Sequence, residues 1–408
     1  MPLDAKYKID RNLAAKLPRV WPAFFGRHGR LTEIQRKGIP PILEGQDAVL
    51  CAATASGKTE AACAPLVERN LQNHGVDWTI LYVSPTRALV NDLFARLECP
   101  LGVIGLDLVR RTGDHPTRLS DHPHVLLTTP ESFDSLLCRG LFRPRSGHAL
   151  AQVTAVVLDE IHLLHGSPRG EMLTWLLERL RLLRGHARRE SWVRQDKLQV
   201  VALSATLSNP ASVVREYLPG GTVVHVAGSR QIEVVSEGEP IEDCLPAYLH
   251  QIERPEKILV FCNSRKRADT LARDLAGKLQ ARKYTFAVHH GSLAKDLRED
   301  TEEKFHREKR IVVFATSTLE LGIDIGDIDL VVLDGAPPDV NSLLQRIGRG
   351  NRRRKETRVM MCSPSLKDRL FQAALRSLQE ITFTFLMIYP ILWPSCNSWP
   401  AAWRTSFC

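Results

Sequence analysis

Two short stretches of this 408-residue chain carry residue types that could handle a polyphosphate. In Ala52-Ala53-Thr54-Ala55-Ser56-Gly57-Lys58-Thr59, small residues and a glycine lead into a lysine and a hydroxyl. In such a loop the backbone N–H groups at a helix start wrap the phosphates, Lys58 reaches the β and γ oxygens, and the Thr59 hydroxyl binds Mg2+. Ala52 stands where the general pattern has its first glycine. Later in the chain, Asp159-Glu160-Ile161-His162 sets two carboxylates side by side. Asp159 would hold the Mg2+ directly or through water, and Glu160 would orient and deprotonate an attacking water.

For these side chains to meet, the elements carrying them must end at one edge of a sheet. Short apolar runs recur at Ala48 to Ala52, Thr79 to Val83, Val125 to Leu127, Ala155 to Leu158 and Val200 to Leu203. Most are followed by helix-compatible sequence, the pattern of buried strands in a parallel sheet. A second series follows at Ile258 to Cys262, Phe286 to His289, Ile311 to Ala315, Leu330 to Leu333 and Val359 to Cys362. Two α/β domains in tandem are the economical reading, with the phosphate loop and the acid box at carboxyl ends of strands, where ligands of such folds bind. Leucines at 173, 176, 177, 180 and 183 predict a core-facing helix over Glu171 to Leu183.

Composition narrows the classes. With 44% hydrophobic and 25% charged residues, the chain is neither disordered nor collagenous. The net charge is +9, and 40 of the 55 basic residues are Arg, the side chain shaped for forked contacts to phosphate, so polyanions are plausible partners. Nine cysteines never form a Cys-x-x-Cys pair, which argues against a zinc ribbon or a disulfide scaffold and for reduced thiols in the cytosol. His289-His290 has no Cys or carboxylate at metal spacing, and His162 and His165 read as a nucleotide-site and a surface residue. MPLDAKYKID is not an export signal, and the longest apolar run, Ile381 to Trp393, is shorter than the roughly 20 residues a bilayer needs. Arg181, Arg184, Arg188, Arg189 and Arg194 read as a solvated helix end favoured by the macrodipole, with duplex contacts as the other reading.

With these motifs in place, the sequence resembles superfamily 2 helicases over residues 30 to 362. That family writes its phosphate loop A-x-T-[GA]-S-G-K-T, so Ala52 and Ala55 are its own variant, and Thr54 to Thr59 would bind nucleotide. Leu31-Thr32-Glu33-Ile34-Gln35 resembles its glutamine motif, in which Gln35 would read the adenine edge with amide donor and acceptor. The acid box is DEIH rather than DEAD. Further blocks follow in the family's order. Thr86 and Arg87 of SPTRAL, Gly113 of TGD, and Thr129 and Pro130 of TTPES are similar to strand-tracking loops that contact phosphates rather than base edges. Ser204-Ala205-Thr206 resembles the motif linking hydrolysis to domain movement, through His162. In the second half, Asn263, Ser264 and Arg265, then Gly291, then Thr316 and Thr318 would touch the strand. Gly322 and Asp324 would meet the nucleotide. Gln345-Arg346-Ile347-Gly348-Arg349-Gly350-Asn351-Arg352 resembles Q-R-x-G-R-x-G-R; Gln345 would join the catalytic set, with Arg349 and Arg352 as arginine fingers. Asn351 departs from the usual glycine but tolerates the left-handed conformation.

The resemblance implies two RecA-like domains, the P-loop NTPase fold, with ATP and Mg2+ in the cleft between them and a single strand crossing both. Expected boundaries are 1–30 for an N-terminal extension, 31–228 for the first domain, 229–255 for a linker and entry to the second, 256–370 for the second domain, and 371–408 for an atypical hydrophobic tail. DEIHLLHGSPRGEMLTWLLERL and ATSTLELGIDIG are similar to the large helicase-related branch, whose members track strands 3′ to 5′ and continue into a winged-helix domain. The expected function is a nucleic-acid-stimulated ATPase and helicase in the cytoplasm, in DNA repair or RNA/DNA remodelling, on single-stranded or partly duplex nucleic acid, with DNA ahead of RNA. Alternatives are an ATP-switched clamp that does not part strands, or an inert product of a truncated gene. The tail carries Trp393, Trp399 and Trp403 and reads either as a docking segment or as a frame-shifted end.

Overall fold

Alternating side chains of the apolar strands point to opposite sides, and helices cover both. The computed structural model describes residues 3–362 except 28, 54–55, 74–77, 115–122, 139–141, 144–146, 206–208, 227–230, 238, 321–327, 339 and 351–355. It divides into two units after residue 227. The first begins with helices α1 (Leu3–Lys16), α2 (Trp21–Phe24) and α3 (Glu33–Leu43). It continues with β1 (Ala48–Cys51), α4 (Lys58–Asn73), β2 (Thr79–Val83), α5 (Arg87–Ile104), β3 (Leu108–Arg111), β4 (Val125–Thr128) and α6 (Pro130–Cys138). A small pair, β5 (Phe142–Arg143) and β6 (Gly147–His148), precedes β7 (Val153–Leu158), α7 (Pro168–Arg189), β8 (Gln199–Ser204), α8 (Pro210–Tyr217) and β9 (Thr222–His225).

Seven parallel strands run in the order β3-β4-β2-β7-β8-β1-β9. In β7, Ala155 and Val157 pack under α3 to α5, while Val156 and Leu158 pack under α6 to α8. This two-sided burial explains why the central strands read as unbroken apolar runs rather than alternating ones.

The second unit is built from β10 (Gln231–Glu237), α9 (Ile241–Gln251), β11 (Lys257–Cys262), α10 (Arg265–Ala281), β12 (Thr285–His289) and α11 (Lys295–Arg307). It ends with β13 (Ile311–Ala315), β14 (Leu330–Asp334), α12 (Val340–Ile347) and β15 (Glu356–Cys362). Its parallel sheet is ordered β10-β15-β14-β11-β13-β12. Ile258 and Val260 face α9 and α10, and Leu259 and Phe261 face the other side.

Several expectations are corrected. Residues 1–30 are no extension: Leu13, Leu17, Val20, Phe24 and Phe25 enter the core of the first unit. Asp10 pairs with Arg36 at 2.6 Å and accepts Leu31 N–H at 3.2 Å, and buried Glu68 accepts Arg19 N–H at 3.0 Å. The stretch 229–255, expected as a linker and entry to the second domain, contains β10 and α9, and β10 completes the second unit's sheet beside β15. Edge strands β3 and β9 were not expected; their side chains are only partly covered, so they lack the apolar runs of the centre. Helix α7 outruns the expected Glu171 to Leu183, opening at Ser167, whose hydroxyl accepts Gly170 N–H. Arg184 is not solvated: it donates to the carbonyls of Ala151, Gln195 and Asp196 and ties β7's approach to the chain after α7. The tail 371–408 lies outside the described residues.

Breaking a largely buried ion pair by removing one partner costs on the order of 3 kcal/mol. Asp10→Ala is therefore expected to lower the stability of the first unit by about that amount in equilibrium urea unfolding. A loss below about 0.5 kcal/mol would show that α1 is not anchored by this residue.

Candidate active site

Strands β7, β8 and β1 lie side by side, so their carboxyl ends bring the acid box and the phosphate loop within two strand spacings of one another. Ser204, at the end of β8, stands opposite Cys51 in register, and its carbonyl accepts Ala52 N–H at 3.2 Å. Gly57 adopts φ +87°, and a Cβ there would lie 2.2 Å from Gln35 Nε2, so this position requires glycine on two counts. Lys58 and Thr59 open α4, both nearly buried. Lys58 Nζ donates to Ala52 O at 2.8 Å and Ala53 O at 3.0 Å. Burial pushes the Lys58 ammonium below its ordinary range, opposed by the charges of Glu160 and Asp159. The Ser56 hydroxyl is buried with no hydrogen-bond partner, an orphaned polar atom in a loop suited to phosphate.

Asp159 follows β7 and accepts the Ser84 hydroxyl at 2.9 Å. Burial first, and the neighbouring Glu160 carboxylate second, push its carboxyl from the ordinary 3.8 to about 7. Glu160 sits at φ +40°, a left-handed conformation uncommon outside glycine. Its Oε2 is buried without a hydrogen bond, 3.4 Å from His162 Nδ1, and that nitrogen is 3.1 Å from Ser204 Oγ. Two crowded carboxyls, one of them held partly protonated by burial, together with the Thr59 hydroxyl fit a divalent cation, whose charge would relieve the crowding.

Gln35 holds a structural post. Its Oε1 accepts Thr32 N–H at 2.9 Å and its Nε2 donates to Gly57 O at 3.3 Å, while Thr32 Oγ1 accepts Gln35 N–H. It thus caps α3 and braces the phosphate loop, leaving one amide hydrogen and one lone pair for a base.

The other motif residues of the first unit also gather at strand ends. Thr86 caps α5; Arg87 lies over Gly113, whose added Cβ would meet Arg87 Nη2 at 2.8 Å, and pairs with Asp114 at 2.5 Å. Thr129 accepts Ser132 N–H, and Pro130 opens α6. Arg169, which the sequence reading passed over, joins these loops: Nη2 donates to Pro85 O and Nε to Glu131 Oε1, both at 2.7 Å. Arg169 lies within the DEIHLLHGSPRGEMLTWLLERL block, two residues past the N-cap Ser167.

In the second unit, Asn263 follows β11, Gly291 follows β12 and Thr316 follows β13, so three adjacent strand ends carry the expected strand-facing residues. The Asn263 amide donates to Ala336 O at 2.8 Å and accepts Arg346 Nη1–H at 3.0 Å. Ser264 caps α10 and Arg265 reaches Ser292 Oγ. Gln345 is buried on α12. Arg349 is nearly buried and donates Nε and Nη2 to Glu320 O, the shorter bond at 2.6 Å. Arg346, also passed over, pairs with the Glu320 carboxylate at 2.6 Å and stacks 5.3 Å from the Phe261 ring centre. Thr54, Ala55, Thr206, Gly322, Asp324 and Arg352 lie outside the described residues.

Residues 32–213 match the DEAD/DEAH box helicase family, and 241–354 match the helicase conserved C-terminal domain. The chain belongs to the DEAD/DEAH-box helicases. It is 33% identical over 383 residues to ATP-dependent helicase Lhr-Core protein 2 of Thermococcus barophilus, an alignment spanning 83% of this chain and 42% of that protein. The chain thus covers well under half of this relative's length. The structure of Mycobacterium smegmatis helicase Lhr bound to ssDNA and AMP-PNP is similar at TM-score 0.71 and 27% identity, over 90% of this chain and 50% of that one. The DEAD-box helicase Mss116 bound to ssRNA and UDP-BeF, at TM-score 0.72 and 18% identity over 91% of this chain and 78% of that one, shares the fold. Both units of this helicase-family chain are RecA-like, as the strand patterns implied.

A carboxyl held above its unfolded value binds a proton the unfolded chain releases, so stability falls as pH rises from about 4 through about 7. Asp159→Asn removes that loss. Its Tm without nucleotide or metal is expected to exceed that of the unsubstituted protein by a margin that grows between about pH 5 and about pH 8. A margin independent of pH would mean that Asp159 is ordinarily ionised.

Proposed function

We propose that this helicase-family chain hydrolyses ATP while gripping and moving along a single nucleic-acid strand. The observation that carries the reading is the gathering of Lys58, Asp159 and Glu160 at the carboxyl ends of β1 and β7, with His162 linking Glu160 to Ser204. Lys58 exchanges its loop carbonyls for β- and γ-phosphate oxygens, and the Ser56 and Gly57 N–H groups receive the phosphates. Thr59 and Asp159 would hold Mg2+, which would neutralise phosphate charge. Glu160, whose Oε2 has no hydrogen-bond partner to displace, accepts a proton from the attacking water. His162 and Ser204 sense that step. Gln345, Arg349 and Arg352 complete the set, and a guanidinium on the γ-phosphate is worth about 10³ to 10⁵ in rate. Gln35 contributes its remaining amide capacity to the base, and Gly322 and Asp324 serve the nucleotide.

Strand binding falls to Thr86, Arg87, Gly113, Thr129 and Pro130 of the first unit and to Asn263, Ser264, Arg265, Gly291, Thr316 and Thr318 of the second. These offer hydroxyls, backbone groups and guanidiniums, which suit phosphates and give little sequence preference. The likeness to a helicase whose structure is bound to ssDNA favours DNA over RNA as the tracked strand. No helix among the described residues is long and apolar enough to cross a membrane, and the described cysteines are free, in keeping with a cytoplasmic site of action. The two family matches, residues 32–213 and 241–354, fall one in each of the two units that divide after residue 227.

Lys58→Ala and Glu160→Gln are each expected to lower oligonucleotide-stimulated ATP turnover by at least about a hundredfold. Wild-type turnover in either variant sinks the assignment. Turnover titrated with matched single-stranded DNA and RNA at one fixed salt concentration is expected to half-saturate at lower DNA than RNA; the reverse order overturns the DNA preference, and no stimulation by either removes the strand.

A further inference from the structure

We propose that Arg169 is a strand-binding residue of the first unit, its guanidinium held between two loops so that the Nη1 hydrogens meet a phosphate of the strand, an inference that rests on the strand-binding role proposed above for those loops. Three adjacent strand ends supply the setting. Strands β4, β2 and β7 are neighbours in the sheet, and the chain leaving their carboxyl ends carries residues 129–131, residues 85–87 and Arg169 respectively. Arg169 reaches from the start of α7 to both other loops: Nη2 donates to Pro85 O and Nε to Glu131 Oε1, each at 2.7 Å.

A guanidinium has five N–H donors and no acceptor, so these two bonds leave three donors over. Nη1 has no acceptor among the described residues and is not buried, and the side chain is 42% exposed. Arg184, farther along the same helix, shows the contrary arrangement. Its Nε, Nη1 and Nη2 all donate to carbonyls, and it is 1% exposed. Arg184 is a strut with nothing left to offer, whereas Arg169 is fixed at Nε and Nη2 and open at Nη1.

The electrostatics of the open end suit a phosphate. Glu131 is itself 56% exposed, and an ion pair in such surroundings is worth at most about 1 kcal/mol, so Glu131 aims the guanidinium without satisfying it. A phosphate oxygen adds a charge-assisted bond at Nη1 and breaks neither existing one. Arg87, two residues past Pro85, is arranged alike, exposed and paired with Asp114. Both arginines are ordered before the strand arrives, which spares the complex part of the ordering cost that a free side chain imposes.

The test measures the affinity for a single-stranded DNA oligonucleotide by fluorescence anisotropy over a series of salt concentrations. The proteins are the full chain and its Arg169→Ala, Arg169→Lys, Arg87→Ala and double Arg87→Ala/Arg169→Ala variants. Arg169→Ala is expected to raise Kd about three- to tenfold at low salt and to reduce the slope of log Kd against log salt by about 0.7, the loss of one phosphate contact to a single strand. Arg169→Lys, which keeps the charge and three donors, should retain the unsubstituted slope. Arg87→Ala should lower the slope about as much as Arg169→Ala, and the double variant by about 1.4, because two separate phosphates release their counterions independently. A double variant no worse than Arg87→Ala shows Arg169 acting only through the loop that carries Arg87, and overturns the direct contact. So does a rise in Kd for Arg169→Ala with no change in slope, or an Arg169→Lys slope as low as that of Arg169→Ala. An unchanged Kd in Arg169→Ala beside a weakened Arg87→Ala overturns the proposal and leaves the strand path standing. An unchanged Kd in both overturns the strand-binding reading of these loops as well.

Discussion

A carboxyl buried beside another carboxyl is costly, and the first unit accepts that cost at one place. Asp159 and Glu160 follow β7 where the sheet ends and its two helical layers stop covering the chain. Asp159, 6% exposed, cannot be relieved by water in the ordinary way, and Oε2 of the partly exposed Glu160 has no hydrogen bond. What compensates is the register of the sheet: β8 alone separates the acid box from the strand that delivers Lys58, so opposite charge arrives by topology rather than by direct pairing. The left-handed Glu160, the glycine at 57 and the brace from Gln35 all serve to keep these groups at that edge.

The same constraint explains what could be read from the sequence. Strands with both faces buried announce themselves, because every position must be apolar; β1, β2, β7, β8, β11 and β13 were found within a residue or two of their ends. The edge strands β3, β9 and β10 were missed because one covered face leaves room for Arg110, Arg111, His225 and Glu233. The N-terminal helix was missed for a related reason. Its polar anchor is Asp10, which pairs with Arg36 and accepts Leu31 N–H, and nothing in the local pattern marks these groups as partners across a fold.

At the site, position was legible and partnership was not. Spacing placed Lys58, Asp159 and Glu160 correctly at strand ends, since the motifs are defined by those ends. It could not show that the Gln35 amide is half spent on capping, that Arg184 is buried under carbonyls, or that Arg169 spans two loops. Each of those facts depends on residues far apart in sequence meeting through a sheet.

Arg346 and Arg349 show how far this reaches. Three residues apart, Arg346 on α12 and Arg349 in the turn after it both end on Glu320: one on its carboxylate, the other on its carbonyl. The ion pair is buried and backed by Asn263 and the Phe261 ring, so Arg346 has no freedom to leave. Arg349 donates Nε and Nη2 to the backbone carbonyl of the same Glu320. The two arginines thus tie α12 and the turn after it to one residue, Arg346 through the Glu320 carboxylate and Arg349 through the Glu320 carbonyl.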